Sequence, residues 1–124
     1  MLRGSLVMLV HSALGKRAGR DALLAAAAVE LFHSAFLIHD DIMDSDTTRR
    51  GAKSIFYQYK ELGDKEKLRG ALHFGEAMGI CAGDVLIFLA FLLLSKIRAD
   101  EKSKEKILPL FCDELVKVGY AQMQ

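Results

Sequence analysis

Acidic and basic side chains follow one another closely between Leu37 and Gly51. Asp40, Asp41 and Asp44 come first, and Arg49 and Arg50 follow a few residues later. Carboxylate oxygens suit Mg²⁺, which in proteins is usually held by one or two carboxylates and shared with substrate phosphates. Guanidinium groups bind phosphate through paired hydrogen bonds. The segment therefore predicts a site for a magnesium-bridged diphosphate.

A helical conformation would align the first of these acids. Residues three or four positions apart share a helix face, so His33, Asp40 and Asp44 would form one stripe. Asp41 lies about 100° further round and is expected to assist as a secondary ligand. His33 is a candidate ligand, whereas His39 faces elsewhere and is interpreted as structural or as a residue that supports a ligand. Carboxylates at the C-terminal end of a helix oppose its dipole, which favours a bound cation over the alternative of a solvated helix end.

The elements that must position these residues are predicted to be helices. One proline, long apolar runs and no period-two alternation indicate an all-α protein with one domain over residues 1–124. Helices are expected over 2–13, from Asp21 to about Asp44, over 52–62, 67–95 and 107–124. The connections are a turn over 15–19, a polar segment over 45–51, a turn at Gly63 and Asp64, and a charged loop over 99–104. Pro109 is expected in the first turn of the last helix. The chain begins and stops inside predicted helices, so we expect it to be truncated.

Two nearly all-apolar segments, 25–29 and 85–94, predict central helices that are buried on nearly all sides. Gly75, Gly79 and Gly83 share one helix face and favour the close approach of another helix, and Asp84 should need a partner if buried. Cys81 and Cys112 are expected to be buried free thiols in a reducing cytoplasm. The run over 85–94 is too short to cross a bilayer, so no transmembrane segment is predicted. The formal net charge of +1 gives no reason to expect a nucleic-acid partner.

The residues that carry this chemistry resemble a known family. The run from Ala28 to Gly51 is similar to the first aspartate-rich motif, with its flanks, of the trans-isoprenyl diphosphate synthases, or polyprenyl synthetases. Residues 1–4 resemble the tail of the family's Gly-Gly-Lys-Arg-Leu-Arg-Pro segment, and residues 82–86 resemble its Gly-Asp segment. The resemblance covers the whole chain and implies the isoprenoid synthase fold, an antiparallel helical bundle around a central cavity.

The resemblance also implies roles for individual residues. Asp40 and Asp44, with help from Asp41, would bind Mg²⁺ shared with an allylic diphosphate that Arg49 contacts. Isopentenyl diphosphate would be held by Arg50, His33 and Arg3. Gln122 resembles the glutamine of the family's Gln-x-x-Asp element and is a further candidate for substrate binding.

The reaction implied is condensation of isopentenyl diphosphate with an allylic diphosphate. In that family, bulk just upstream of the first motif limits the growing chain, so the resemblance, with Phe36 four residues before Asp40, implies products of about C15 to C20. A homodimer that forms through helix packing is expected by family analogy, and the cytoplasm is expected from the free thiols. The family's binding lysine, its Lys-Thr element and its second aspartate-rich motif are not found in this sequence, and Gly4 stands where proline is usual.

Three other interpretations stay open. The chain could be a noncatalytic half that pairs with a complementary chain. His39 and Asp40 could belong to an HD-type metal phosphohydrolase with His11 or His33 as a further ligand, although this leaves Asp44 and the arginine pair unexplained. A terpene cyclase also has an aspartate-rich motif, but Arg49, Arg50 and His33 argue against it.

Overall fold

The computed structural model describes residues 2–15, 17 and 19–123. Within them the chain forms α1 (Leu2–Ala13), α2 (Arg20–Met43), β1 (Thr48–Arg49), β2 (Ala52–Lys53), α3 (Ile55–Lys65), α4 (Ala71–Ser95) and α5 (Glu101–Gln122). The prediction of an all-α protein is confirmed, and α1 and α2 lie where the sequence predicts them. The expected turn over 15–19 and the expected helix end at Gln124 fall partly outside the described residues.

Helix α2 is the central element, because α1, α4 and α5 all contact it. Its alanines are small enough for α1 to approach closely, and Ala26 and Ala28 are buried. Further along, the Phe32 ring packs at 5.1 Å from the ring of Phe91 on α4. It also packs at 5.6 Å from the ring of Phe111 on α5. The main core cluster is therefore built around Phe32, two helical turns before Asp40.

The glycine stripe of α4 serves close packing, as predicted. A Cβ atom at Gly79 would lie 2.8 Å from Cδ1 of Ile42 and 3.0 Å from Cβ of Phe56. A Cβ atom at Gly75 would lie 2.8 Å from the backbone nitrogen of Lys60. The stripe thus receives α3 and the acidic end of α2 at distances that only glycine permits.

The region around α3 differs from the prediction. Residues 52 and 53 pair in a hairpin with Thr48 and Arg49, so the helix begins three residues late, at Ile55. Gly63 and Asp64 lie inside α3, because a glycine at 63 lets Ala71 and Phe74 pack against the helix. The chain instead turns after α3, where Lys67 and Gly70 have φ of 55° and 76°. Helix α4 therefore begins at Ala71 and not at residue 67.

Helix α5 begins earlier than predicted. The side chain of Asp100 caps its first turn by accepting a hydrogen bond of 3.0 Å from the Ser103 N–H. The loop expected over 99–104 therefore ends at Asp100, so the prediction was wrong for residues 101–104, and Pro109 lies inside the helix rather than in its first turn. Proline cannot donate to the carbonyl of Glu105, so this turn of α5 lacks one backbone hydrogen bond.

The burial predicted for residues 85–94 was wrong for this chain. Phe88 is 70% exposed, and Val85 and Leu92 are also exposed, because the described helices cover only one side of α4. Cys81 and Cys112 are free thiols but are exposed, since both lie away from the packed faces of their helices.

Helices α2 and α4 are long and apolar enough to cross a membrane by length and composition alone. The core helix of a globular protein can pass that test too, and the absence of a transmembrane segment stays a prediction.

Candidate functional site

The candidate site lies at the C-terminal end of α2. The backbone N–H of Asp44 donates to the carbonyl oxygen of Asp40 over 2.8 Å and closes the last turn. Asp44 is exposed, Asp40 is half-buried and Asp41 is 4% exposed. The three predicted metal ligands therefore have different surroundings, with Asp40 and Asp44 one turn apart on the accessible face.

Asp40 is joined to the far end of the chain. The side-chain amide of Gln122 donates from Nε2 to Oδ1 of Asp40 over 2.7 Å. Gln122 lies at the last turn of α5, so the end of this helix meets the end of α2. Both residues were predicted to belong to the site, and the structure brings them into direct contact.

Asp41 points away from this face and contacts Arg49 of the hairpin. Its Oδ1 accepts a hydrogen bond from Nε of Arg49, while Nη2 of the same guanidinium lies 3.6 Å from Oδ2 of Asp46. The hydrogen bond from Arg49 to Asp41 raises the pKa of Arg49. This arginine therefore stays charged and is fixed beside the acidic helix end.

The hairpin presents the second arginine. Arg50 and Gly51 are the two turn residues, with φ of 53° and 80°. Positive φ at both positions is the mark of the two-residue type I′ turn, where asparagine and glycine are usual and arginine is not. Arg50 is exposed and lines a groove between α1 and α2 together with Glu30 and Ser34. The sequence had indicated only a polar connection here.

Arg3 and His33 form a second basic element. Nη1 of Arg3 donates to Nε2 of His33 over 2.8 Å, which requires an unprotonated Nε2. Partial burial lowers the pKa of His33, and the nearby Arg3 guanidinium lowers it further. His33 is therefore a neutral partner that orients Arg3.

Glu30 holds this element in place, and it was not among the predicted site residues. Its Oε1 accepts a hydrogen bond of 2.7 Å from the backbone N–H of Gly4, which also lowers the pKa of Glu30. A Cβ at residue 4 would meet Cγ of Glu30 at 2.9 Å, so glycine is needed for this contact. The signal was available, because Glu30 lies three residues before His33 and extends the predicted stripe.

An apolar groove of about 650 Å³ leads from Asp40 between α2 and α5. Arg3, His33 and Asp40 supply polar groups to its lining, and Phe32, Phe36 and Phe111 supply aromatic walls. Phe36 was predicted to border a substrate chain, and it does line the groove. Phe111 was missed, because its position depends on how α5 crosses α2.

The histidines do not converge on Asp40. Nε2 of His39 lies 3.3 Å from the Ile80 carbonyl oxygen and 3.6 Å from Oδ1 of Asp84 on α4. His11 lies 3.4 Å from the carbonyl oxygen of Arg17, and His33 contacts Arg3. A histidine and aspartate metal centre of the HD type therefore has no support in this arrangement. Asp84 has the partner that the sequence predicted, although it is half exposed.

The donors fit magnesium as a metal shared with substrate. Among residues 2–15, 17 and 19–123, no three His, Cys, Asp or Glu side chains converge to hold an ion. Mg²⁺ does not need such a cage, because it keeps several waters and completes its shell with substrate phosphates. Asp40 and Asp44 offer the one or two carboxylates that such a site uses, whereas Asp41 faces Arg49.

Comparison with known proteins identifies the family of the chain. A model of the family described as Polyprenyl synthetase matches residues 1–124. A short chain isoprenyl diphosphate synthase of Methanocaldococcus jannaschii is 42% identical over 97 residues, 77% of this chain and 25% of the relative. A geranylgeranyl diphosphate synthase of Methanosarcina mazei is 41% identical over 125 residues, 98% of this chain and 34% of the relative. A farnesyl diphosphate synthase of Bacillus subtilis is 37% identical over 120 residues, 95% of this chain and 35% of the relative.

The chain belongs to the polyprenyl synthetase family. Its helices have the all-α architecture of the isoprenoid synthase fold. It spans about a quarter to a third of the length of the curated relatives that it matches.

Proposed function

We propose that this chain carries the diphosphate-binding part of a prenyltransferase that condenses isopentenyl diphosphate with an allylic diphosphate. One observation supports the proposal above all. Asp40, His33 and Arg3 all line one apolar groove, and Arg49 and Arg50 lie on the hairpin that follows the acidic end of α2. Acids for a metal, bases for a diphosphate and an apolar channel for a hydrocarbon chain are thus neighbours.

The residues have separate tasks in this proposal. Asp40 and Asp44 would hold Mg²⁺, which when bound neutralises charge that develops on a departing diphosphate. Arg49 contacts the allylic diphosphate, and Arg50 with the Arg3–His33 pair contacts isopentenyl diphosphate. Preorganised cations of this kind stabilise charge most strongly where water is excluded. Phe32, Phe36 and Phe111 would exclude water from the allylic carbon chain.

Product length is a finer part of the proposal. Phe36 lies one helical turn before Asp40 and lines the groove, so a chain growing from Asp40 would meet it early. We propose products of about C15 to C20, on the general ground that bulk in a pocket limits what fits. Phe36→Ala should shift the products to longer chains, measured by reversed-phase chromatography of the dephosphorylated products.

The decisive experiment is a condensation assay in Mg²⁺ with isopentenyl diphosphate and dimethylallyl, geranyl or farnesyl diphosphate. It should be run with this chain alone and with the same residues inside a sequence of full family length, with Asp40→Asn as the matched control. Product that disappears in the control supports the proposal. No product from either length would favour the noncatalytic interpretation, and phosphate release from nucleotides would favour a phosphohydrolase.

We also propose that the chain works in the cytoplasm and forms a homodimer through α4. The homodimer is supported by apolar side chains that are exposed along one face of α4, namely Val85, Phe88, Leu89 and Leu92. Contiguous exposed apolar surface usually marks an interaction site. Sedimentation should give a dimer that Phe88→Asp converts to a monomer, whereas a monomeric starting chain would refute the homodimer and leave this face to a different partner.

A further inference from the structure

A second cavity lies at the end of the molecule where α2 begins, α4 ends and α5 begins. Its volume is about 690 Å³, which is within the range usual for small-molecule sites. Arg20, the first residue of α2, lines this cavity. Helix α2 has 24 residues and is about 36 Å long, so roughly 30 Å separate Arg20 from Asp40. The cavity is therefore distinct from the proposed diphosphate site.

The cavity is basic. Four of its lining residues are cations, namely Arg20, Lys96, Arg98 and Lys104. Among the residues that the structure describes, no acidic side chain lines it. Nη1 of Arg20 donates to the carbonyl oxygen of Lys96 over 3.2 Å, which holds the guanidinium at the cavity. Three separate elements thus bring positive charge to one place.

Helix dipoles explain only half of this arrangement. Lys96 and Arg98 follow the C-terminal end of α4, where positive charge is favourable. Arg20 and Lys104 lie in the first turns of α2 and α5, where the dipole favours anions instead. Cations at the positive end of a helix are unfavourable unless negative charge compensates them. These two positions therefore favour an anion in the cavity.

Nearby acids compensate only part of the positive charge. Nη1 of Arg20 lies 3.9 Å from Oδ1 of Asp21, and Nζ of Lys104 lies 2.8 Å from Oε1 of Glu101. All four side chains are exposed, and exposed pairs contribute little. No ion pair joins the other two lining cations to a residue that the structure describes. Positive charge at the cavity is thus left for a ligand.

The floor of the cavity is apolar. Leu94 and Ile97 line it and are buried. Phe91 also lines it and packs at 5.1 Å from the ring of Phe32, so the floor belongs to the main core cluster. Leu108 of α5 borders the cavity and is 51% exposed. A ligand that is charged throughout would leave this apolar surface in contact with water, whereas a hydrocarbon chain would cover it.

We propose that this cavity binds an amphiphile that carries a phosphate group on a hydrocarbon chain. A phosphate carries up to two negative charges at neutral pH, which suits four cations better than the single charge of a carboxylate. The guanidinium groups of Arg20 and Arg98 can bind its oxygens through paired hydrogen bonds. The inference does not rest on the proposed function, because it uses none of the residues of the diphosphate site.

The first test is calorimetric titration of this chain with monomeric dodecyl phosphate in the absence of Mg²⁺. Lys96→Gln and Arg98→Gln should each lower the affinity about fivefold, the upper end of what an exposed charge contributes. Lys106→Gln is the matched control. It removes the same charge from α5 but does not line the cavity, so the affinity should change less than about twofold.

The second test concerns the hydrocarbon chain. Inorganic phosphate should bind at least about tenfold more weakly than dodecyl phosphate, because covering two methylene groups already gives that factor. Leu108→Ser should weaken the binding of dodecyl phosphate and leave that of inorganic phosphate unchanged. Leu72→Ser is its matched control, because Leu72 is 53% exposed and lies outside the cavity.

Several results would overturn the proposal. Equal affinity for inorganic phosphate would make the cavity a site for free phosphate, and no binding of dodecyl phosphate would leave it without its ligand. Equal losses in Arg98→Gln and Lys106→Gln would mean unspecific attraction. A larger loss in Arg3→Gln would place the amphiphile in the groove between α2 and α5. Sedimentation with phosphatidic acid vesicles, without binding of monomeric dodecyl phosphate, would indicate a membrane surface instead. Urea unfolding of each variant separates weaker binding from loss of the fold.

Discussion

Replacing the glycines of α4 by alanine should have graded effects that follow from the space at each position. Alanine is favoured over glycine inside a helix by about 1 kcal/mol, so without a collision every such variant would be more stable. Gly119 of α5 meets this condition, because a Cβ atom at this position would meet no atom within 4 Å beyond its own helical neighbourhood. Gly119→Ala is therefore the matched control, and its melting temperature should rise by roughly 4 °C.

Gly75→Ala should be the most damaging change in the series. Its Cβ would collide with the carbonyl oxygen of Phe56 and would lie 2.8 Å from the backbone nitrogen of Lys60. Backbone atoms of α3 cannot move aside alone, so the two helices must separate. Overpacking of this kind costs about 1–3 kcal/mol or more. With the propensity gain of about 1 kcal/mol subtracted from the upper value, the net loss is about 2 kcal/mol, and the gap to Gly119→Ala is about 3 kcal/mol.

Gly79→Ala and Gly83→Ala should lie between these extremes. At Gly79 the nearest atom is the terminal methyl of Ile42, and at Gly83 it belongs to the His39 ring, and both side chains can rotate away. Urea unfolding followed by far-ultraviolet circular dichroism gives the free energies of all four variants. If Gly75→Ala were as stable as Gly119→Ala, the close contact of α3 with α4 would be refuted. If Gly83→Ala destabilised the chain more than Gly75→Ala, the assumption that the α3 backbone yields less readily than the His39 side chain would be wrong.

Three shorter predictions concern the site. The lowered pKa of Glu30 means that its contact with Gly4 stabilises the folded chain above the ordinary carboxyl pKa and is lost as the pH falls through the lowered value. Glu30→Gln should therefore make the loss of stability in acid less steep in urea titrations, and an unchanged steepness would contradict the contact. His33 has a lowered pKa, so the unfolded chain takes up its proton first and stability falls as the pH drops below the ordinary histidine pKa. His33→Gln should remove that part of the pH dependence, and its persistence would contradict the burial beside Arg3. Arg50→Asn should stabilise the chain by about 1 kcal/mol at most by relieving positive φ, while weakening Mg²⁺-diphosphate binding, and lower stability would contradict the turn geometry.

Periodicity was sufficient to predict the long helices and the packing role of the glycines. The bounds of α1 and α2 follow from apolar spacing, and the stripe of Gly75, Gly79 and Gly83 indicated the close approach that the structure contains. The hairpin could not be predicted in the same way. Its strands have two residues each, too few for any alternation, and its turn has arginine where asparagine is usual.

The contacts within the site were the hardest part to predict. Gln122 and Asp40 are 82 residues apart in sequence, so no local pattern joins them. Helix geometry placed Asp41 about 100° from the other two acids, but its contact with Arg49 depends on where the hairpin packs and could not be predicted. The complete burial expected for residues 85–94 failed for a related reason. Apolar composition predicts that a helix would be covered, but the described residues supply neighbours for one side only.

The electrostatics of α2 explain why the end of this helix should attract a cation. Three carboxylates lie at the negative end of the helix dipole, which is unfavourable unless each charge is compensated. Arg49 compensates Asp41 as a full charge, whereas the neutral amide of Gln122 gives Asp40 only a hydrogen bond. Asp44 is exposed beside them. Among the residues that the structure describes, the negative charge left without an ion pair at this helix end is therefore on the face shared by Asp40 and Asp44. A divalent cation would gain most on that face, and Arg49, which is paired with Asp41, stands next to it as the cation that the proposed function assigns to the allylic diphosphate.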